Sequence, residues 1–414
     1  MSEDSGYGPY FTRRGRGNVL THFFMLVVGA GLAAVLLLAF GVASSSGISM
    51  PGGDAVPSPA GSAAPLAGSE QAIVTKVKPG VVIINTTLQY NSELAAGTGM
   101  VINSGGLVLT NNHVIEDSTA IRVTVAATGK TYQARVIGYD KTGDIALIQL
   151  ENASGLTTVP IGDSSSVRTG ETVVALGNAE GRNTIQTAAG HVTGLNETIT
   201  ASDEAGSTTS EMLHGMIQIN ADIVPGDSGG PLSGSGGVIG MDTAGNNGGY
   251  QEQAVGFAIP INTALSVARQ IAAGQASSTI TIGYPPFLGI FIGSGSETNP
   301  QAQAQQQEQQ QQNGFSGSPA CFTSNADLTI PSTVAPVNSG TLIDGTICGG
   351  PAAQAGMTGG AVITAVNGQA VGSPDDLSHV LARFHPGDTI SVTWVSPSGQ
   401  RRISSLRLTA GPPQ

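Results

Sequence analysis

The sequence predicts a mostly β chain: a barrel or sandwich of short strands over residues 69–275, a smaller α/β domain over 284–412, and one apolar span ahead of both. Three observations lead there. β-Branched runs recur every 10–15 residues or so with Gly, Asn and Ser between them, the spacing of sandwiches and barrels. The chain carries 59 glycines and only 4% aromatic residues, which suits a loop-rich β protein better than a helical bundle. Its 414 residues are enough for two or three cores.

From the start of the chain, residues 1–22 carry a basic stretch, "RRGR" at 13–16, and read as a cytoplasmic segment. Residues 23–43, "FFMLVVGAGLAAVLLLAF" and "GVA", carry no charge over 21 positions. At ~1.5 Å per residue they span about 30 Å, the depth of a bilayer's hydrocarbon core. Basic residues ahead of the span place the N-terminus in the cytoplasm and everything downstream outside. The rival is a cleaved signal peptide, whose apolar region is usually shorter, ~7–15 residues. An uncleaved transmembrane helix is the expectation. Residues 44–68 are rich in Ser, Gly, Pro and Ala, too poor in apolar surface to fold, and read as a tether.

Strands follow at "GVVIINTTLQY" (80–90), "GTGMVI" (97–102), "GLVLTNNHVI" (106–115), "AIRVTV" (120–125), "TYQARVIGYD" (131–140) and "DIALIQL" (144–150). "TVVALG" (172–177) and "GGVIGMDTAG" (236–245) continue the series. Helices are expected only at the two ends, Glu70–Val77 and Asn262–Ala272, with Asn262 as N-cap of the second. Beyond 284 lie an apolar strand, a short helix at "PAAQAG", a strand "AVITAVNG" and a helix "SPDDLSHVLARF". A glutamine-rich stretch at 294–319 has almost no apolar content and reads as a disordered insertion. The two cysteines, Cys321 and Cys348, are either a disulfide of an exported domain or two reduced residues.

A net charge of −12 argues against nucleic acid as a partner. There is no CxxC, no HExxH and no close pair of histidines, so neither a metal nor a cofactor is expected. The chemistry-bearing stretch is "PGDSGGPL" at 225–232. Small residues around Ser228 would let the backbone N–H groups of Gly226 and Ser228 converge on an oxyanion. A serine attacks poorly until a base takes its proton, and that base needs a carboxylate to fix its tautomer. His113, ending an apolar strand in "LTNNHVI", and Asp144, opening "DIALIQL", are the candidates.

Together "LTNNHVI", "GDIALIQL", "PGDSGGPL" and "VGFAIP" (255–260) resemble the HtrA (Deg) family of trypsin-like serine proteases, in the family's order and approximate spacing. The resemblance implies a chymotrypsin-like double six-stranded β-barrel with the site in the cleft between the barrels. His113 would be the general base, Asp144 its orienting carboxylate and Ser228 the nucleophile. Two positions depart from the family pattern. Asp227 stands before the serine, where the family usually has Asn. Asp222, six residues before Ser228, stands where trypsin-like enzymes place the floor of the S1 pocket. With Gly256 it would line that pocket and select basic side chains, or else point to solvent.

"GPAAQAGMTGGAVITAVNGQAV" closely resembles a PDZ domain. Phe287, Leu288, Gly289 and Ile290 match that family's carboxylate-binding loop, whose consecutive N–H groups would hold a peptide C-terminus. A Cys321–Cys348 bond would pin the far end of the insertion, and closing a loop of this length stabilises by roughly 3 kcal/mol. The whole reads as a membrane-tethered serine endopeptidase facing outward, acting on exported proteins and binding protein C-termini. The family also implies a homotrimer. The alternative is a PDZ adaptor with a latched or inactive protease fold.

Overall fold

The computed structural model describes residues 66–90, 93–202, 210–246, 255–293, 297–310, 321–324, 328 and 331–414. The expected cytoplasmic segment 1–22, the apolar span 23–43 and nearly all of the linker 44–68 lie outside the described residues. Among the described residues no helix is long and apolar enough to cross a membrane.

Among the described residues twelve strands form the two barrels of the first folded region, in two groups of six. The first group is β1 (Val81–Leu88), β2 (Glu93–Asn103), β3 (Leu107–Thr110), β4 (Ala120–Val125), β5 (Thr131–Asp140) and β6 (Ile145–Leu150). They run in the order β5-β4-β1-β2-β3-β6, and β6 pairs back onto β5 to close the ring. The second group is β7 (Thr172–Gly177), β8 (Gln186–Ser202), β9 (Ser210–Ile219), β10 (Pro231–Gly234), β11 (Gly237–Asn246) and β12 (Val255–Pro260). These form a closed barrel in the order β10-β11-β12-β9-β8-β7.

The apolar runs have a direct reason. Along a strand, successive side chains point to opposite faces. In β1, Val82 and Ile84 fill the first barrel with Val108, Val123 and Ile148, while Val81 faces the space between the barrels. There it joins Met100, Leu109 and Leu147 of the first barrel and Val174, Leu176 and Met241 of the second. Strands buried on both faces need hydrophobic residues at nearly every position. The helices α1 (Gly68–Val77) and α2 (Ile261–Ala272) seal this shared core with Ile73, Val74 and Val77, and with Ile261, Ala264, Ala268 and Ile271. The expected cap is corrected in one detail: helix α2 starts at Ile261, so Asn262 lies inside its first turn. Its amide instead donates to Asp163 Oδ1 at 2.7 Å, tying the helix to the loop before β7.

β13 (Ile280–Ile282) adds to β5 and leads into the second region. Its elements are β14 (Pro286–Phe287), β15 (Ile290–Phe291), α3 (Pro300–Gln310), β16 (Thr341–Leu342), β17 (Gly345–Thr346), α4 (Pro351–Gln354), β18 (Val362–Val366) and β19 (Gln369–Ala370). α5 (Pro374–Leu381), β20 (Thr389–Val395), β21 (Arg401–Arg407) and β22 (Thr409–Ala410) complete it. Leu288, Ile343, Leu377, Val380, Val392 and Trp394 form its own core. Ser373 caps α5 by accepting from the Asp376 N–H.

Of the glutamine-rich stretch expected to be disordered, residues 294–296 and 311–319 lie outside the described residues, and Pro300–Gln310 is helical rather than disordered. Gln303 is buried, donates to the carbonyls of Glu297 (2.7 Å) and Gly340 (3.0 Å), and accepts from the Leu342 N–H (3.1 Å). A buried amide with all those partners holds a helix that has little apolar surface of its own. Cys321 and Cys348 are bonded, with Cα atoms 4.9 Å apart, and the adjoining Phe322 bridges to Ile347.

Candidate active site

His113 follows β3 and Asp144 precedes β6, two strands paired through Thr110 and Ala146, so the β3–β6 pairing brings the residues together. Asp144 has a positive φ of 52°, a conformation Asp tolerates better than most side chains. The turn before it is closed by its own N–H on the Lys141 carbonyl, and Asn111 Nδ2 holds its carbonyl at 2.9 Å. The carboxylate then meets His113 Nδ1 at 3.0 Å through Oδ1 and 2.9 Å through Oδ2, and Oδ1 also accepts the His113 N–H at 3.1 Å. The Asp144 side chain is 3% exposed and that of His113 27%. A carboxylate only accepts, so Nδ1 carries the proton and Nε2 is left as the basic nitrogen.

Ser228 comes from the second barrel, on the loop between β9 and β10. Its Oγ donates to the Thr243 carbonyl at 3.3 Å, and Thr243 Oγ1 donates to Asp144 Oδ2. Thr243 lies at a β-bulge, where the β11–β12 register shifts between Asp242 and Ala244. Such a bulge re-aims a side chain, and here it turns the hydroxyl onto the carboxylate. Gly226 has φ 95°, and a side chain there would collide with the Asn178 carbonyl. Among the described residues neither the Gly226 nor the Ser228 N–H has a hydrogen-bond partner, so both are available to a developing oxyanion.

Sequence reasoning missed Thr98, on β2. Its N–H donates to the Ser228 carbonyl (2.9 Å), its Oγ1 donates to the Gly226 carbonyl (2.7 Å) and accepts from the Asn178 N–H (2.8 Å). Thr110 Oγ1 supports it through the Thr98 carbonyl at 2.7 Å. The Thr in "GTGMVI" was the available signal, but only strand pairing shows what it faces.

Asp227 is buried and accepts from the Val224 N–H at 3.1 Å. Burial pushes its carboxyl up to about 6, and the nearby charge of Asp222 adds to the rise. Asp242 is fully buried, among the described residues neither of its oxygens has a hydrogen-bond partner, and burial, reinforced by Asp227, holds it well above the usual carboxylate range. Asp222 itself is exposed, whereas its neighbour Ile223 is buried and packs over Gly256. In the second region, Leu288 is buried, Gly289 has φ 71°, and Phe287 and Ile290 are half-buried on β14 and β15. Among the described residues no group of His, Cys, Asp or Glu is arranged to hold a metal ion.

Two closed β-barrels, a His–Asp pair on the first and, on the second, a serine whose own N–H and that of Gly226 are unpartnered among the described residues define a trypsin-like serine protease fold. Sequence likeness agrees. Residues 97–241 match the trypsin-like peptidase domain and residues 347–395 the PDZ domain. The serine protease PepD of Mycobacterium tuberculosis is 30% identical, over 93% of this chain and 77% of its own. The serine protease Do-like HtrA of Lactobacillus helveticus is 31% identical, over 75% of this chain and 67% of its own. A solved structure of the HtrA-type protease AlgW with tripeptide is 25% identical, covers 83% of this chain and 98% of its own, and has a TM-score of 0.43. The chain belongs to the HtrA family of serine proteases.

Proposed function

We propose that this HtrA-family protease is a membrane-tethered endopeptidase that hydrolyses peptide bonds of exported proteins, with Ser228, His113 and Asp144 as its triad and a PDZ loop that binds protein C-termini. The observation that supports the triad is the approach of both Asp144 oxygens to His113 Nδ1, at 3.0 and 2.9 Å, with Thr243 bonded to both Asp144 and Ser228. Ser228 Oγ attacks the scissile carbonyl while its proton passes to His113 Nε2, and Asp144 stabilises the imidazolium. The oxyanion that forms is held by the Gly226 and Ser228 N–H groups, each worth ~3 kcal/mol. His113 then gives its proton to the leaving amine, and water repeats the sequence on the Ser228 ester.

The tether rests on the 21 uncharged residues at 23–43 behind "RRGR", and peptide binding on the Phe287–Ile290 loop. The family likeness supports a homotrimer. The test is digestion of a peptide library by the full chain and by Ser228→Ala, beside labelling with a fluorophosphonate. Cleavage and labelling by the parent alone are expected. Neither, even with a C-terminal peptide present, would leave the adaptor reading in its place.

A further inference from the structure

The stretch Gly411–Gln414 leaves the PDZ region and lies against the turn that carries His113. That turn is built on Asn112, whose carbonyl accepts the N–H groups of both Ile115 and Glu116 at 2.9 Å. It ends at Asp117, which has φ 55°. The stretch touches both ends of it. The Asp117 N–H donates to the Pro413 carbonyl at 2.9 Å, and Asn112 Nδ2 donates to the Gln414 carbonyl at 3.3 Å. The Gln414 N–H in turn donates to Tyr139 Oη on β5 at 3.3 Å. Pro413, Tyr139 and Asn112 are buried, whereas Asp117 and Gln414 are exposed, so each bond has one partner anchored in the interior.

The other end of the stretch is held by the strand that opens the carboxylate loop. β14 pairs with β22 through Pro286–Ala410 and Phe287–Thr409, and the Gly411 N–H donates to the Pro285 carbonyl at 2.9 Å. A Cβ on Gly411 would come within 2.9 Å of Phe287 Cβ, so the close approach needs glycine there. The Phe287 ring stacks on Tyr90 of the first barrel, centroids 5.8 Å apart.

We infer that Gly411–Gln414 is a positioning strap, which brackets the His113 turn at Asn112 and Asp117 and is itself set by the PDZ strand carrying Phe287. This rests on the proposed catalytic role of His113. None of the four residues meets substrate; they act by holding the base in register with Ser228. A strap of this kind makes the base's placement depend on the PDZ strand, so strain at one is felt at the other.

The test uses the full chain, a deletion of residues 411–414, and two milder variants. Gln414→Pro removes the N–H that Tyr139 accepts, and Phe287→Ala loosens the strap at its PDZ end. Amide exchange at Asp117 is read by hydrogen–deuterium exchange, and kcat and KM are read on a peptide substrate. The deletion should speed Asp117 exchange at least tenfold and lower kcat about tenfold with KM within twofold. Phe287→Ala should speed Asp117 exchange in the same direction despite lying in the other domain, and Gln414→Pro should do so more weakly. Asp117 exchange unchanged in the deletion would overturn the strap, and exchange unchanged in Phe287→Ala would overturn its link to the PDZ strand. Altered exchange with parental kcat would overturn its positioning role. A parent that neither cleaves nor labels would instead sink the protease reading, and exchange would still decide whether the strap holds the turn.

Discussion

Thr98 Oγ1 donates to the carbonyl of Gly226, 128 residues away in the chain, at 2.7 Å. With that carbonyl turned onto Thr98, the peptide unit after Gly226 has one orientation, and the N–H of Asp227 closes on Val224 instead of entering the site. Thr98→Val keeps the shape but leaves the Gly226 carbonyl and the Asn178 N–H without their partner. One lost bond of this kind is worth about 1–3 kcal/mol. We expect kcat to fall about 10–100-fold at little-changed KM, with Thr98→Ser close to the parent. Steady-state kinetics normalised to the fraction labelled by an active-site probe will check it.

Thr243 carries two functions on separate atoms, its carbonyl accepting from Ser228 and its hydroxyl donating to Asp144. Thr243→Val removes the second alone. A hydrogen bond to a charged group contributes about 1.5–3 kcal/mol, so kcat should drop roughly 10–100-fold. Thr243→Ser should restore it. A main effect on KM would show that the hydroxyl shapes the substrate cleft rather than the triad.

What the sequence displays and what it hides divide along local and non-local lines. His113, Asp144 and Ser228 each sit in a short stretch that can be read without knowing its partners. Thr98 and Thr243 cannot be read that way, because one acts through pairing across the barrels and the other through a bulge. β8 escaped notice for a related reason: Gly190, Gly194 and a run of polar residues break its alternation, and its register against β9 shifts at three places. Burial of Gln303 is invisible to composition, since its stabilising partners are backbone groups of other segments. Asn262 looked like a cap from its residue type, but Ile261 already lies in the helix.

Gln303 anchors the insertion, so Gln303→Leu should leave the Leu342 N–H and two carbonyls without partners. The expected loss is about 2–4 kcal/mol. Gln305, exposed two residues on, provides the contrast, and Gln305→Ala should change stability by less than about 0.5 kcal/mol. Urea denaturation of both variants in the Ser228→Ala background, which prevents self-digestion, would measure the difference.

The family resemblance would put Asp222 at the floor of a pocket for basic P1 residues, yet the residue is exposed. An exposed charge in water contributes at most about 1 kcal/mol to a pair. Asp222→Ala should therefore alter the ratio of basic to aliphatic P1 cleavage by less than about fivefold. A loss of Arg and Lys cleavage of a hundredfold in a library digest would show that the carboxylate is desolvated when substrate binds.

Asp227 and Asp242 give stability a definite pH dependence. Asp227 has its carboxyl raised from 3.8 to about 6, so the folded chain holds this proton more tightly than the unfolded one. The contribution is complete below about pH 4, declines as pH rises toward 6, and is absent above it. The span corresponds to about 3 kcal/mol, and Asp242, raised in the same direction, extends the decline to higher pH. Asn in either place keeps the shape and cannot ionise. Asp227→Asn, made on Ser228→Ala, should be more stable than its parent at pH 8 by a few kcal/mol, with the gap closing near pH 4. Asp242→Asn should show the same sign with its gap opening at higher pH. Denaturation midpoints across pH 3–9 decide the matter, and a parent that gains stability on the alkaline side would mean that a cation reaches the pair.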